Sequence, residues 1–472
     1  MMTTRTIRLA CWTVALGLAA MGCGGAQGAG EGEDPEVVVL HGDLGNAFVM
    51  AGESAEVISR IRIETRALEN VQRPPINLAL VVDTSGSMDG APIADARAAA
   101  LDLLDIMRPQ DRLSVIAFHS ETEVLLPSTR LDGADVGELR RQIGRMEARG
   151  TTDLAGGLQS GLEELVSHYE PEGINRLVLL SDGVPNDASQ ILPLAQAAGE
   201  RGIRITALGL GLDYDETLLG HIAQRSGGRF HFVEASEQVA GVFRDEVLRF
   251  ERLLARNLTL ELRPGPGVRI AGVVGQAMQA GGGAVRVSLG DVSEGEQRDV
   301  IVRLQADPRR AGAVVELMDA VLTFDDAVVD AGRLERRVFL GARATRDDAD
   351  MESGRDEEVE RAAARMLAAV QTVQAIERAR EGDIVQARAI LDRAEREAQQ
   401  YAAQDEAVRE QVSGMRVLGQ ALPSMAPESA AADYPSQDYA GDEEAAPMAA
   451  PPAAVIRRAH HDAMGVIQGE SR

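Results

Sequence analysis

Between Ile76 and Val233, apolar runs of strand length alternate with amphipathic segments of helix length, and this alternation leaves few folds open. The strand candidates are "INLALVV" (76–82), "RLSVIAF" (112–118), "RLVLLS" (176–181), "IRITALGL" (203–210) and "RFHFV" (229–233). Between them stand "PIADARAAALDLLDIM", "DLAGGLQSGLEELVSHY", "ASQILPLAQAAGERG" and "DETLLGHIAQRSGG", with apolar residues three and four apart. The pattern predicts an α/β domain: a doubly wound, mostly parallel sheet covered by helices on both faces. "TEVLL" (122–126) follows its strand so closely that an antiparallel edge hairpin is expected.

On either side the rhythm changes. "EVVVL" and "AEVISRIRIET" alternate as strands before the break at "QRPP", and from about Asn257 five further segments alternate in the two-residue period with Gly and Pro between them. The early strands lack partners of their own, so one antiparallel β-sandwich built from both flanks is predicted, 36–73 and 251–345, with the α/β domain, 74–250, inserted into it. A helical hairpin is expected over 354–418, turning at Gly382, and its facing stripes include Val359, Met366, Ile376 and Ile384, Leu391. From 419 to 472 the chain is rich in Ala, Pro and acid and is expected to be disordered.

At the other end, residues 1–22 have Arg5 and Arg8, an apolar stretch and then small residues, the pattern of a secretory signal peptide. "AAMGC" resembles a bacterial lipobox, which implies lipidation of Cys23 and a flexible linker over 23–35. With Cys11 removed, Cys23 stands alone and no internal disulfide can form. The expected location is a bacterial cell envelope, lipid-anchored, with the outer membrane favoured because Gly24 follows the cysteine. A formal charge of −26 repels nucleic acid and anionic headgroups, so nucleic acid is excluded as a partner and the lipid is the expected membrane contact. All 48 basic residues are arginine.

In an open parallel sheet ligands bind beyond the carboxyl ends of the strands, and three such loops carry matching chemistry. "DTSGS" offers Asp83, Ser85 and Ser87; "RGTTD" offers Thr151, Thr152 and Asp153; "SDG" offers Asp182. Hard oxygen ligands without His or thiolate suit an octahedral divalent cation, magnesium first, with manganese or calcium as alternatives. Each piece also has an ordinary reading, as a helix cap or a turn. Their order on one edge argues for a site.

"DTSGSM" (83–88), "GTTD" (150–153) and "SDG" (181–183) resemble the three segments of the metal-ion-dependent adhesion site of von Willebrand factor type A domains, a Rossmann-like fold, and the resemblance covers roughly 76–250. It implies that Asp83, Ser85 and Ser87 form the first segment, that Thr152 supplies the hydroxyl of the second, and that Asp182 supplies the carboxylate of the third. The "RPPINLALVVDTSGSM" segment and its sandwich flanks also look similar to bacterial surface proteins with an inserted type A domain and to inter-alpha-trypsin inhibitor heavy chains.

The implied function is a cell-envelope binding module, not an enzyme, that captures a protein through an Asp or Glu coordinated to the bound cation. Two other readings compete: a structural scaffold with a vestigial metal site that recruits through the hairpin or tail, and a metal-dependent hydrolase. Against the hydrolase, the seven histidines show no ligand spacing and no nucleophile motif accompanies the site. His119 lies nearest the predicted edge and reads as a solvated loop residue, and His460 and His461 fall in the expected tail.

Overall fold

A computed structural model describes residues 33–66, 73–329, 331–425 and 450–469. The expected signal peptide, Cys23, the linker through residue 32 and residues 426–449 of the expected tail lie outside the described residues.

Three strands come first: β1 (Val38–Leu44), β2 (Phe48–Met50) and β3 (Ala55–Thr65). The chain then passes through Arg73–Pro75 into β4 (Ile76–Asp83), β5 (Arg112–Phe118), β6 (Thr122–Arg130), β7 (Ile174–Ser181), β8 (Arg204–Leu210) and β9 (Phe230–Val233). These six form one sheet in the order β6-β5-β4-β7-β8-β9, in which only β5 with β6 is antiparallel. The expected edge hairpin is therefore present. Every residue of β4 and β7 is buried, as central strands covered on both faces require.

Six helices supply the cover: α1 (Ala91–Ile106), α2 (Val136–Ile143), α3 (Leu154–Ser167), α4 (Ile191–Glu200), α5 (Glu216–Ser226) and α6 (Val239–Phe250). Alternate strand residues point to opposite faces. Leu78, Leu80 and Val178 meet Leu103 of α1 and Phe243 of α6, while Val81, Ile116 and Leu179 meet Leu158 of α3 and Ile222 of α5. Helix α3 lies close against the sheet because of two glycines. A Cβ at Gly157 would stand 2.6 Å from the Phe118 ring, and one at Gly161 would stand 2.5 Å from Val81 Cγ2. That approach fixes where α3 begins, at the carboxyl edge of the sheet.

After α6 the chain returns to strands: β10 (Leu253–Pro264), β11 (Val268–Val273), β12 (Gln279–Gly281), β13 (Ala284–Ser293), β14 (Gln297–Ala306), β15 (Val314–Asp326) and β16 (Arg333–Thr345). Two sheets result, β1-β3-β14-β11 and β12-β13-β10-β15-β16-β2, and each takes strands from both flanks of the insertion. Ile61, Ile63, Val302 and Leu304 of the first share a core with Leu260, Leu262, Leu322 and Leu340 of the second.

The C-terminal region differs from expectation. After α7 (Asp348–Ser353), the helices α8 (Glu357–Arg380) and α9 (Ile384–Gln399) form the predicted hairpin, but α10 (Glu406–Ala421) packs on it as a third helix. Residues 450–469, placed in the disordered tail by composition, form α11 (Pro452–Gln468). Ile456, Ala463, Met464 and Ile467 are buried at helical spacing, Pro452 opens the helix, and Gly469 closes it with φ 77°. The apolar stripe was diluted by the Ala- and Pro-rich residues before it. His460 is 1% exposed and packs edge-on to Phe230 at 5.2 Å between ring centres, so it is a core residue and not part of a disordered tail. Burial first, then neighbouring positive charge, pushes its imidazole down to about 3.

An inserted domain needs its two ends close together, and here they are joined by charge. Arg73 and Asp111 have side chains with no exposure and meet at 2.7 Å. Asp111 also accepts from the backbone N–H groups of Ile76 and Arg108, at 2.9 and 2.7 Å. Glu251, where the chain leaves the insertion, lies 3.5 Å from Arg73 and 3.2 Å from Arg108. Removing one partner of a buried pair leaves the other charge uncompensated. Arg73→Met is therefore expected to cost about 3–5 kcal/mol, measured as a lower urea midpoint.

Candidate metal centre

β4 and β7 are parallel neighbours with Val82 opposite Leu180, so the residues just beyond their ends emerge side by side. Asp83 ends β4, and Asp182 follows Ser181 at the end of β7. Both carboxylates are buried, at 0% and 8% exposure. Asp83 accepts from the backbone N–H of Ser85 at 2.9 Å and from Ser181 Oγ at 2.8 Å. Ser87 Oγ donates to Asp182 Oδ1 at 2.8 Å and lies 3.1 Å from Ser85 Oγ. The first and third predicted segments therefore form one connected cluster.

The second segment reaches the same place from across the edge. Gly86 N–H donates to Gly150 O at 3.0 Å, Arg149 N–H to Thr84 O at 2.7 Å, and Asp153 N–H to His119 O at 2.8 Å. These bonds lash the loop before α3 onto the ends of β4 and β5. Thr152 is buried, and a Cβ built on Gly183 would stand 3.0 Å from its Oγ1 and 3.9 Å from Asp83 Oδ2. Both oxygens thus face the small space that Gly183 leaves open. Thr151 is exposed and occupied elsewhere, with Ser120 Oγ at 3.3 Å and Asn186 Nδ2 at 3.2 Å from its hydroxyl. Asp153 caps α3 by accepting from Gly156 N–H at 3.0 Å. Asp83, Ser85, Ser87, Thr152 and Asp182 are brought together; Thr151 and Asp153 are not part of the group.

Two features were not read from the sequence. Ser181 was seen only as part of a turn, yet its hydroxyl supports Asp83; its place directly before Asp182 was the available signal. His119 is 7% exposed and is not a solvated loop residue. Arg149 Nε lies 2.9 Å from its Nε2, and Glu121 N lies 3.1 Å from its Nδ1. It holds the wall of the edge together.

The electrostatics favour a cation. Burial raises the Asp83 carboxyl above the usual range, against its hydrogen bonds from Ser85 and Ser181. Burial pushes Asp182 up to about 6, the Ser87 hydroxyl opposes that rise, and the charge of Asp83 adds to it. Among the described residues neither carboxylate has an arginine partner. Nor does any group of three or more His, Cys, Asp or Glu come together among them in a way that could hold a metal. Two buried carboxylates, three hydroxyls and a gap kept free of a side chain match the oxygen-only preference of a hard divalent ion.

A model of the von Willebrand factor type A domain family matches residues 77–245, which bracket all of these residues. The chain carries a von Willebrand factor type A domain. An uncharacterized protein of Synechocystis is 30% identical over 280 residues, covering 57% of this chain and 66% of that protein. Inter-alpha-trypsin inhibitor heavy chain H1 of Mesocricetus auratus is 30% identical over 196 residues, 38% of this chain and 21% of that one. The chain thus spans between about a fifth and about two thirds of the length of these curated relatives. A solved von Willebrand factor type A protein from Catenulispora acidiphila shares the fold, with a TM-score of 0.68 at 19% identity over 81% of this chain and 89% of that one. Type A domains are protein–protein interaction modules, and typically hold a divalent metal at a cluster of this kind.

Burial and the charge of Asp83 raise the Asp182 carboxyl more than its hydrogen bonds, from Ser87 and its own backbone N–H, lower it. Asp182→Asn is therefore expected to raise the melting temperature of the chelator-treated protein, where about 1 kcal/mol corresponds to a few degrees. The same variant is expected to lose any further rise on adding magnesium. Differential scanning calorimetry with and without the metal reads both signs.

Proposed function

We propose that this protein is a cell-envelope binding module whose type A domain grips an acidic side chain of a protein partner through a divalent cation, magnesium first. Asp83, Ser85, Ser87, Thr152 and Asp182 would hold the ion. The observation that carries this reading is the convergence of those five side chains on one edge, with the two carboxylates lacking any cationic partner among the described residues. A bound divalent ion supplies net positive charge and a coordination position that the protein leaves open, because three of the five ligands are neutral hydroxyls. The chain's part is to fix the oxygens. Asp83 is held by two donors, Thr152 by the lashed loop, and Ser87 by Asp182.

Binding is favoured over catalysis because the nearest histidine to the edge, His119, has Arg149 and Glu121 against its ring nitrogens. The convergence of these oxygens on one edge supports binding over a scaffold with a vestigial site. Calorimetric titration of magnesium and manganese into the full chain tests the proposal. Wild type is expected to bind one ion per chain, and Asp83→Ala is expected to bind none while keeping its far-ultraviolet circular dichroism. Equal metal-dependent capture of an acidic partner by both proteins would sink the mechanism.

The same proposal places the protein on a lipid anchor at Cys23, with the outer membrane favoured. Among the described residues no helix is long and apolar enough to cross a membrane. The first described strand, β1, begins 15 residues after the cysteine, room enough for a linker to stand the domains off a bilayer. Labelled fatty acid is expected to enter the wild-type protein in cells and to be lost in Cys23→Ser; equal labelling of both would remove the anchor from the proposal.

A further inference from the structure

Away from the metal edge, the inserted domain, the sandwich and the last helix meet around a cavity of about 50 Å³. By the same measure one water needs about 10–15 Å³. Five arginines line the cavity: Arg176 and Arg204, which are register partners on β7 and β8, with Arg229, Arg249 and Arg298. Asp291 is the one carboxylate of the lining among the described residues.

The arginines spend that carboxylate quickly. Arg176 donates to Asp291 Oδ2, and Arg204 Nε lies 3.6 Å from Asp291 Oδ1, outside hydrogen-bond reach. Arg298 donates to the carbonyl oxygens of Leu289 and Asp291 and stands 3.7 Å from Glu296. Arg229 and Arg249, from the same lining, donate to Glu296 at 2.7 and 2.9 Å. Three buried nitrogen donors on lining residues still have no acceptor among the described residues: Arg204 Nε, Arg298 Nε and Gln468 Nε2. They come from three separate parts of the chain. Burial lowers the proton affinity of Arg176 despite Asp291 beside it, and burial lowers Arg298 to about 10.

Water is a poor occupant for such a place, since it brings protons of its own to a wall already crowded with donors. An anion accepts from every side, and guanidinium forks match the spacing of oxyanion oxygens. We propose that the cavity between β8, β13, β14 and the end of α11 is a binding site for a small inorganic oxyanion of the phosphate or sulfate class. Bound there, the anion ties the type A domain, the sandwich and α11 together, and it stabilises the fold with the logarithm of its concentration above the dissociation constant because the unfolded chain has no such site. The site stands apart from the metal cluster and does not depend on it.

The test is calorimetric titration of inorganic phosphate into the full chain with a chelator present, alongside melting curves in phosphate, sulfate and chloride at equal ionic strength. The expected result is saturable binding of one phosphate per chain and a melting temperature that climbs with phosphate or sulfate but not with chloride. Asp83→Ala should leave that binding intact. Arg298→Met should weaken it by about tenfold or more, the loss of one charged hydrogen bond. Gln468→Ala, at the end of a helix, gives a second reading if the arginine variant fails to fold. No saturable response in the wild type overturns the proposal, as does an equal response to chloride or undiminished binding in the cavity variants.

Discussion

The fold depends on closing an insertion. The sandwich gives up its chain after β3 and recovers it at β10, so the α/β domain must leave and return through one narrow place. Arg73 on the way in, Asp111 between α1 and β5, and Glu251 on the way out supply the closure. A buried ion pair is a weak source of net stability but a strong one of specificity when its members come from crossing segments, because no other arrangement pairs them. Asp111 shows why the aspartate is needed: it serves Arg73 and two backbone N–H groups at once, which an apolar replacement could not. With the ends pinned, the sheet of the inserted domain is held against the sandwich, and Arg176 donates to Asp291 on β13 with Arg204 standing beside it.

The metal edge follows from the same sheet. Parallel pairing of β4 with β7 in direct register brings Asp83 and Asp182 out together, and no loop flexibility is needed to unite them. The cost is two negative charges in a buried place, visible in carboxyls raised by burial. A structure selected for stability alone would neutralise one of them or set an arginine beside it, and arginines are plentiful in this chain. Among the described residues their absence from Asp83 and Asp182 contrasts with Asp111, Asp291 and Glu216, each of which is buried with arginine against it. Among the described residues, then, these three buried acids have arginine against them and the Asp83–Asp182 pair does not.

Much of this could be read from the sequence, and the physics explains which part. Period-two and period-3.6 patterns are local, so the strands at 76–82 and 112–118 and the hairpin turn at Gly382 were legible, as were the three loops, since strand ends locate them. The choice of Thr152 over Thr151 rests on the Asp that follows it, within the resemblance; in the structure Thr152 Oγ1 stands beside Gly183, while Thr151 is exposed. What stayed hidden depends on distant partners. Nothing near Arg176 in sequence announces Asp291, 115 residues on, and nothing near His460 announces Phe230. Helix α11 was missed for another reason. Its stripe of Ile456, Ala463, Met464 and Ile467 is regular, but it was averaged with the Ala- and Pro-rich residues before it, and the composition of a window says little about its last third.

That missed helix bears on the site. Glu216, at the start of α5 and fully buried, is gripped by Arg380 from α8 and by Arg457 from α11, the latter at 2.9 Å. Arg457 also donates to the carbonyl oxygens of Leu212 and Tyr214, at 2.8 and 2.9 Å, and lies over the Tyr214 ring. The segment 211–215 leaves β8, the neighbour of β7, at the same carboxyl edge as the metal cluster, and the charge of Asp213 is felt at Asp182. The C-terminal helices therefore hold one bank of the edge from behind, as the lashed loop at 149–153 holds the other. A cation held as proposed gains from such rigidity, because ligand atoms set in place before binding lose little freedom when an ion arrives. On this chain the helices that composition assigned to a hairpin and a tail are part of the frame that sets those oxygens.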